Sequence, residues 1–141
     1  MMNRKEFLEK IGIGAAFALT ATCIGSCSKD TSPAAADVDF TVDISEARFN
    51  ELNTLGGYVI LQDSRIIIAR SVNDGEYIAA TIRCSHDSFD DITYNSSQGT
   101  WFCTKHGAEF DEAGEGLNPN GSRGLTIYQV TQQGNTLRIF S

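Results

Sequence analysis

Cys84-Ser85-His86 and, after sixteen intervening residues, Cys103-Thr104-Lys105-His106 bring together the side chains with the strongest claim to chemistry in this sequence. The two segments use both histidines of the chain and every cysteine beyond residue 27. That concentration points to one shared metal centre. Thiolate sulfur suits iron and zinc, and imidazole nitrogen suits zinc, copper and iron, so donor softness alone leaves the metal open. Order and spacing are more informative. A zinc finger usually places two cysteines first and two histidines later, whereas here each half supplies one of each. A structural zinc site is the competing reading of the same four donors.

The Cys-x-His and Cys-x-x-His pattern at this separation resembles the Rieske iron–sulfur family. The resemblance implies one [2Fe-2S] cluster per chain, with Cys84 and Cys103 on one iron and His86 and His106 on the other. It further implies one-electron exchange with a redox partner protein, the histidine-bound iron facing outward and its imidazoles able to exchange a proton with the redox change. Large Rieske oxygenases share the motif but add a mononuclear iron held by two histidines and a carboxylate. No histidine is left over here, so the chain holds no oxygenase active site, and a carrier or an oxidoreductase subunit is expected rather than a self-contained enzyme. Quinol-oxidising relatives carry an extra cysteine in each ligand loop, joined as a disulfide; Asp87 to Phe89 and Thr104-Lys105 supply none. High-potential relatives place a serine two residues after the second ligand histidine and a tyrosine two further on, and here those positions are Ala108 and Phe110. Three functions stay open: an exported, lipid-anchored electron-transfer protein; the iron–sulfur subunit of a quinol-oxidising cytochrome bc-type complex or a molybdenum oxidoreductase; and a structural zinc or redox-sensing module.

The segments around these donors read as an all-β fold, and the resemblance implies a Rieske-type antiparallel sheet sandwich with a small cluster-binding subdomain. Val38 to Ile44 alternates apolar and polar residues, the signature of a strand with one buried face. Ser45 to Leu55 holds no clean helical face and is expected to be irregular with a short turn. Tyr58 to Gln62 and Arg65 to Arg70 read as a hairpin through Asp63-Ser64, Tyr77 to Arg83 as a further strand, and both ligand segments fall at strand ends, the second after Thr100-Trp101-Phe102. Trp101 and Phe102 are expected to be core packing. Gly107 would let the backbone come close to a bound group. Glu112 to Ser122, rich in glycine around Pro119, resembles a loop that covers the cluster in relatives. Leu125 to Thr131 and Thr136 to Phe140 form a closing hairpin.

The organisation expected along the chain is a signal peptide over residues 1–26, a flexible tether over 27–37 and one domain over 38–141. Arg4 and Lys5 precede the mildly apolar stretch Ile11 to Thr22, and Ile24-Gly25-Ser26-Cys27 resembles a lipoprotein processing box, making Cys27 the expected acylation site. The Arg4-Lys5 start also resembles a twin-arginine signal with lysine in the second place. A cell-envelope membrane lipoprotein facing the periplasm or exterior follows from these features. Formal charge is −7, with three of the 11 basic residues (Arg4, Lys5, Lys10) in the leader, which argues against nucleic acid as a partner.

Overall fold

In the computed structural model the described residues are 37–141; the expected leader, Cys27 and the tether up to residue 36 lie outside them. Nine strands follow: β1 (Asp39–Asp43), β2 (Tyr58–Leu61), β3 (Ile66–Arg70), β4 (Tyr77–Thr81), β5 (Ile92–Asn95), β6 (Thr100–Cys103), β7 (Glu109–Phe110), β8 (Ile127–Gln133) and β9 (Thr136–Phe140). Six of them form one sheet in the order β1-β9-β8-β4-β3-β2, and β5-β6-β7 form a second. Every paired neighbour runs antiparallel, as the alternating sequence and tight turns require. Among the described residues no helix is long and apolar enough to cross a membrane.

The larger sheet separates two cores. Ile66, Ile67, Ile68 and Ala69 of β3 are all fully buried, which an unbroken apolar run allows and a one-sided strand would not. Successive side chains point to opposite faces. Ile66 and Ile68 therefore join Phe49, Leu52, Leu137 and Ile139 on one side, while Ile67 and Ala69 join Ile82, Ile92, Trp101 and Phe110 on the other. The second core is the one that matters for chemistry, because Cys84 and Cys103 belong to it.

Three expectations are refined. The segment read as irregular contains a 3-10 helix, Ala47–Asn53. Its two buried residues, Phe49 and Leu52, are three apart, and a helix of three residues per turn stacks such positions on one side. The strand expected to reach Arg83 ends at Thr81; Ile82 N–H instead donates to Arg65 O at 2.9 Å, and Arg83 pairs with Asp90 as an isolated bridge. β8 begins two residues later than expected and runs on to Gln133, leaving Gly134-Asn135 as the connection, with Gly134 at φ 57°.

The small sheet is fixed to the base by a buried polar network. The Tyr94 hydroxyl from β5 donates to Glu112 Oε1 at 2.5 Å and accepts Val72 N–H at 3.1 Å, and the Ser71 hydroxyl donates to Glu112 Oε2 at 3.0 Å. Burial, with the Glu112 bond second, pushes the Tyr94 phenol up to about 12, so it stays a neutral donor. Tyr94 also meets Trp101 edge to face, centroids 5.2 Å apart. Trp101 is core, as expected, while Phe102 on the opposite face of β6 is half-buried.

Candidate metal centre

Cys84 follows β4 and Cys103 ends β6, and each opens a loop of the same construction. Cys84 N–H donates to Phe89 O at 2.7 Å and Ser88 N–H to Cys84 O at 2.9 Å. In the second loop Cys103 N–H donates to Ala108 O at 2.8 Å and Gly107 N–H to Cys103 O at 3.0 Å. The fourth residue after each cysteine has a left-handed backbone, Ser88 at φ 64° and Gly107 at φ 71°. A Cβ on Gly107 would meet no protein atom within 4 Å, so among protein neighbours it is the backbone angle that calls for glycine.

These loops converge. The sulfurs of Cys84 and Cys103 lie within 4.8 Å of each other and of an Asp87 carboxylate oxygen, and the ring nitrogens of His86 and His106 form a second such group with Asp87. The imidazole centroids are 5.3 Å apart. Burial divides the donors: both cysteines are buried, both histidines exposed. Burial pushes the Cys84 thiol up to about 11, with the neighbouring Cys103 adding to the rise, so a metal must displace a firmly held proton when thiolate forms. For Asp87, burial raises the carboxyl, but the Phe89 N–H and the two imidazoles outweigh it and leave the group below its ordinary value. Its carboxylate pairs with His106 Nδ1.

Two buried sulfur donors opposite two exposed nitrogen donors are the set a cluster with unlike iron ligands needs, so the residues present fit such a group. Ser85 Oγ, between the first cysteine and histidine in sequence, is buried with no hydrogen-bond partner among the described residues.

Sequence reasoning brought these four donors together but overlooked the residues that hold their loops. Asn118 Nδ2 donates to Gly107 O and Asn120 Nδ2 to His106 O, both at 2.7 Å, and Arg123 Nη1 donates to Ser85 O at 3.3 Å. The segment around Pro119 thus lies against both loops. Asparagines flanking a proline in a glycine-rich stretch were the available signal, since their amides satisfy irregular backbone.

Comparison with known proteins agrees with this geometry. No curated protein matches the sequence. Among solved structures, the plasma membrane Rieske protein PetC3 of the cyanobacterium Synechocystis PCC 6803 is 21% identical, with TM-score 0.55 and coverage of 72% of this chain and 99% of that one. The ferredoxin of carbazole 1,9a-dioxygenase from Nocardioides aromaticivorans IC177 is 18% identical, with TM-score 0.55 and coverage of 71% and 96%. NdmA of Pseudomonas putida CBB5, a mutant solved with theobromine, matches over 71% of this chain and 32% of its own, at 20% identity and TM-score 0.51. At these identities the likeness is one of fold. The sequence model of the Rieske [2Fe-2S] domain matches residues 37–129, more than half of the chain and all four donors, and on that match the chain belongs to the Rieske [2Fe-2S] domain family.

Proposed function

We propose that this chain is a membrane-tethered, exported one-electron carrier in which Cys84 and Cys103 ligate one iron of the [2Fe-2S] cluster and His86 and His106 the other. The observation that carries the reading is the division of burial between the donor pairs, thiols inside and imidazoles outside. When bound, the cluster supplies a reversible one-electron couple, at a potential raised above that of all-cysteine clusters by its histidine ligands. The protein does the rest. The core around Trp101 and Phe110 keeps water from the cysteines, and the exposed imidazoles give a redox partner protein a short path to the centre and can release a proton from their outer nitrogens. Membership in the family makes electron transfer through such a cluster the general function.

A stand-alone carrier is favoured over a quinol-oxidising subunit by Ala108 and Phe110, both fully buried and without the hydroxyls that would donate to cluster sulfur. The reading of a tether on the outer side of a cell-envelope membrane is supported by the leader sequence and the processing box before Cys27. A visible spectrum, iron and sulfide analysis and electron paramagnetic resonance of the reduced protein test the cluster; zinc with neither iron nor sulfide ends the reading. Mass spectrometry of the mature N-terminus tests the anchor, and an unmodified Cys27 removes it.

A further inference from the structure

Behind the cysteines, the second core holds two aromatic side chains that the proposed electron transfer does not use. Trp101, the sole tryptophan of the chain, stands two residues before Cys103 on β6, and both are fully buried. They share a face of the strand, about 7 Å apart along it. β5 sets Tyr94 directly opposite Trp101, and the rings meet edge to face with centroids 5.2 Å apart. The Tyr94 hydroxyl donates to Glu112 Oε1 at 2.5 Å, and the Trp101 indole N–H to the main-chain oxygen of the same residue at 3.4 Å. Sulfur, indole, phenol and carboxylate thus follow one another, from the interior to a residue that is only half-buried. Indole and phenol are among the side chains that give up one electron most readily, but a phenol does so with ease only when its proton leaves at the same time. Burial, ahead of the Glu112 bond, pushes the Tyr94 phenol up to about 12, so the proton is present and needs an acceptor. Among the described residues Tyr94 is the one tyrosine whose hydroxyl donates to a carboxylate.

We propose that Trp101 and Tyr94 are a relay that carries an oxidising equivalent away from Cys103, with Glu112 as the proton acceptor at its end. The oxidant is a one-electron radical of the carbonate-radical class. It takes one electron from the Cys103 sulfur and leaves as carbonate; Trp101 returns an electron to the sulfur, and Tyr94 returns one to Trp101. As Tyr94 does so, its O–H bond breaks and the proton joins Glu112 Oε1, which leaves a neutral tyrosyl radical beside a neutral carboxylic acid. A dissolved one-electron donor such as ascorbate then supplies an electron to Tyr94, and Glu112 gives the proton back. What the chain gains is protection. Cysteine sulfur oxidised beyond the sulfenic stage is not recovered by thiols, and both cysteines lie too deep for a dissolved reductant to reach. Glu112 is less enclosed, so the equivalent is repaired at the outer end. This inference rests on the ligand assignment proposed above only for its starting point, since the order of Trp101, Tyr94 and Glu112 stands on its own.

The experiment uses the full chain as purified, with carbonate radical generated by a light pulse from a carbonato-cobalt(III) complex. Transient absorption and freeze-quench electron paramagnetic resonance follow tryptophanyl and tyrosyl radicals, and ferrozine follows iron set free. The wild type is expected to show a tryptophanyl signal that decays as the tyrosyl signal grows. Tyr94→Phe should abolish that growth and leave the oxidation on Trp101, and iron release per pulse should rise. Glu112→Gln keeps an oxygen for the Tyr94 hydroxyl but cannot take its proton, so tyrosyl formation should slow on the order of a hundredfold, the usual worth of a positioned base. It also covers the case in which Tyr94→Phe disturbs folding. Tyr58, Tyr77 and Tyr128 are the controls, and replacing each with Phe should leave the transfer from Tyr94 to Trp101 unchanged. A tyrosyl signal that survives unaltered in Tyr94→Phe overturns the relay, as does tyrosyl formation at the wild-type rate in Glu112→Gln. Iron release that is the same in every variant overturns the protective role. Failure of the ligand assignment reads differently: the wild-type protein would lack the reduced-cluster spectrum, while decay of the tryptophanyl signal into the tyrosyl one would still decide the relay.

Discussion

The two ligand loops share a backbone path and differ in almost everything laid upon it. Cys84–Phe89 and Cys103–Ala108 close with the same pair of hydrogen bonds and turn through the same left-handed fourth residue, yet that residue is Ser88 in one and Gly107 in the other. The fifth residue is Phe89, 48% exposed and under the Lys105 ammonium, against a fully buried Ala108. The second loop continues directly into β7 and lies under Asn118 and Asn120; the first runs through the Arg83–Asp90 bridge before reaching β5. The difference teaches that the donor geometry is specified by main-chain hydrogen bonding, which several residue types can meet, whereas rigidity is specified by what each loop is packed against.

The strongest way to break the comparison is to remove one imidazole from each loop in turn. His86→Ala and His106→Ala are each expected to abolish the reduced-cluster resonance, because an iron that loses one of its two protein ligands is open to water and loss. Lys105→Ala, on the exposed side of the second loop, should leave the signal intact. A normal cluster in either histidine variant would show that the loops do not contribute equivalent ligands.

The next largest effect comes from the left-handed residues themselves. Gly107→Ala places a Cβ at φ 71°, where an L-residue costs about 1–2 kcal/mol. No protein atom obstructs the new methyl, so the loss is one of backbone angle alone and should appear as a fall of several degrees in the melting temperature. An unchanged melting temperature would mean that the loop adjusts its path without cost.

How far these features could be read in advance follows the physics of each. The four donors were legible because cysteine and histidine are scarce and their chemistry does not depend on neighbours. The longer strands were legible as well, since a run such as Ile66-Ile67-Ile68-Ala69 suits no exposed element, whereas β7, two residues long, has no alternation to announce it. The 3-10 helix was not, because Phe49 and Leu52 define too short a repeat to stand out from the 3.6-residue period against which a helix is judged. Nothing in a serine announces a positive φ at Ser88. The bonds from Asn118, Asn120 and Arg123 to loop carbonyls obey no period, and they link positions as far apart as 38 residues.

A smaller effect sharpens the contrast at the ends of the loops. Ala108 and Phe110 continue the second loop into the buried core, and neither offers a hydroxyl. Donated hydrogen bonds stabilise the more negative, reduced cluster, so their lack should set the midpoint toward the negative end of roughly −150 to +300 mV. Asp87, Glu109 and Asp111 push the same way; Asp87, with its side chain only 13% exposed and against His106, is screened by solvent least of the three. Protein-film voltammetry near neutral pH measures the value. Ala108→Ser and Phe110→Tyr should each raise it by on the order of 40–60 mV, the equivalent of about one hydrogen bond for a one-electron couple. A wild-type midpoint near the positive end would restore the quinol-oxidising subunit.

The smallest expected change asks whether the first loop carries strain that the second avoids. Ser88 holds φ 64° without glycine's freedom, at a cost of about 1–2 kcal/mol. Ser88→Gly removes that cost but widens the unfolded ensemble, which takes back about 0.4–1 kcal/mol. The net is a gain of about 0.5 kcal/mol, seen as a rise of about 2–4 °C in melting temperature. The sign is the informative part. Gly107→Ala should destabilise and Ser88→Gly should mildly stabilise, because the two positions make the same backbone demand and only one of them already has the residue that meets it. Should Ser88→Gly instead lower the melting temperature by more than about 4 °C, the serine side chain itself supports the first loop, and the shared frame of the two loops would not extend to their fourth residue.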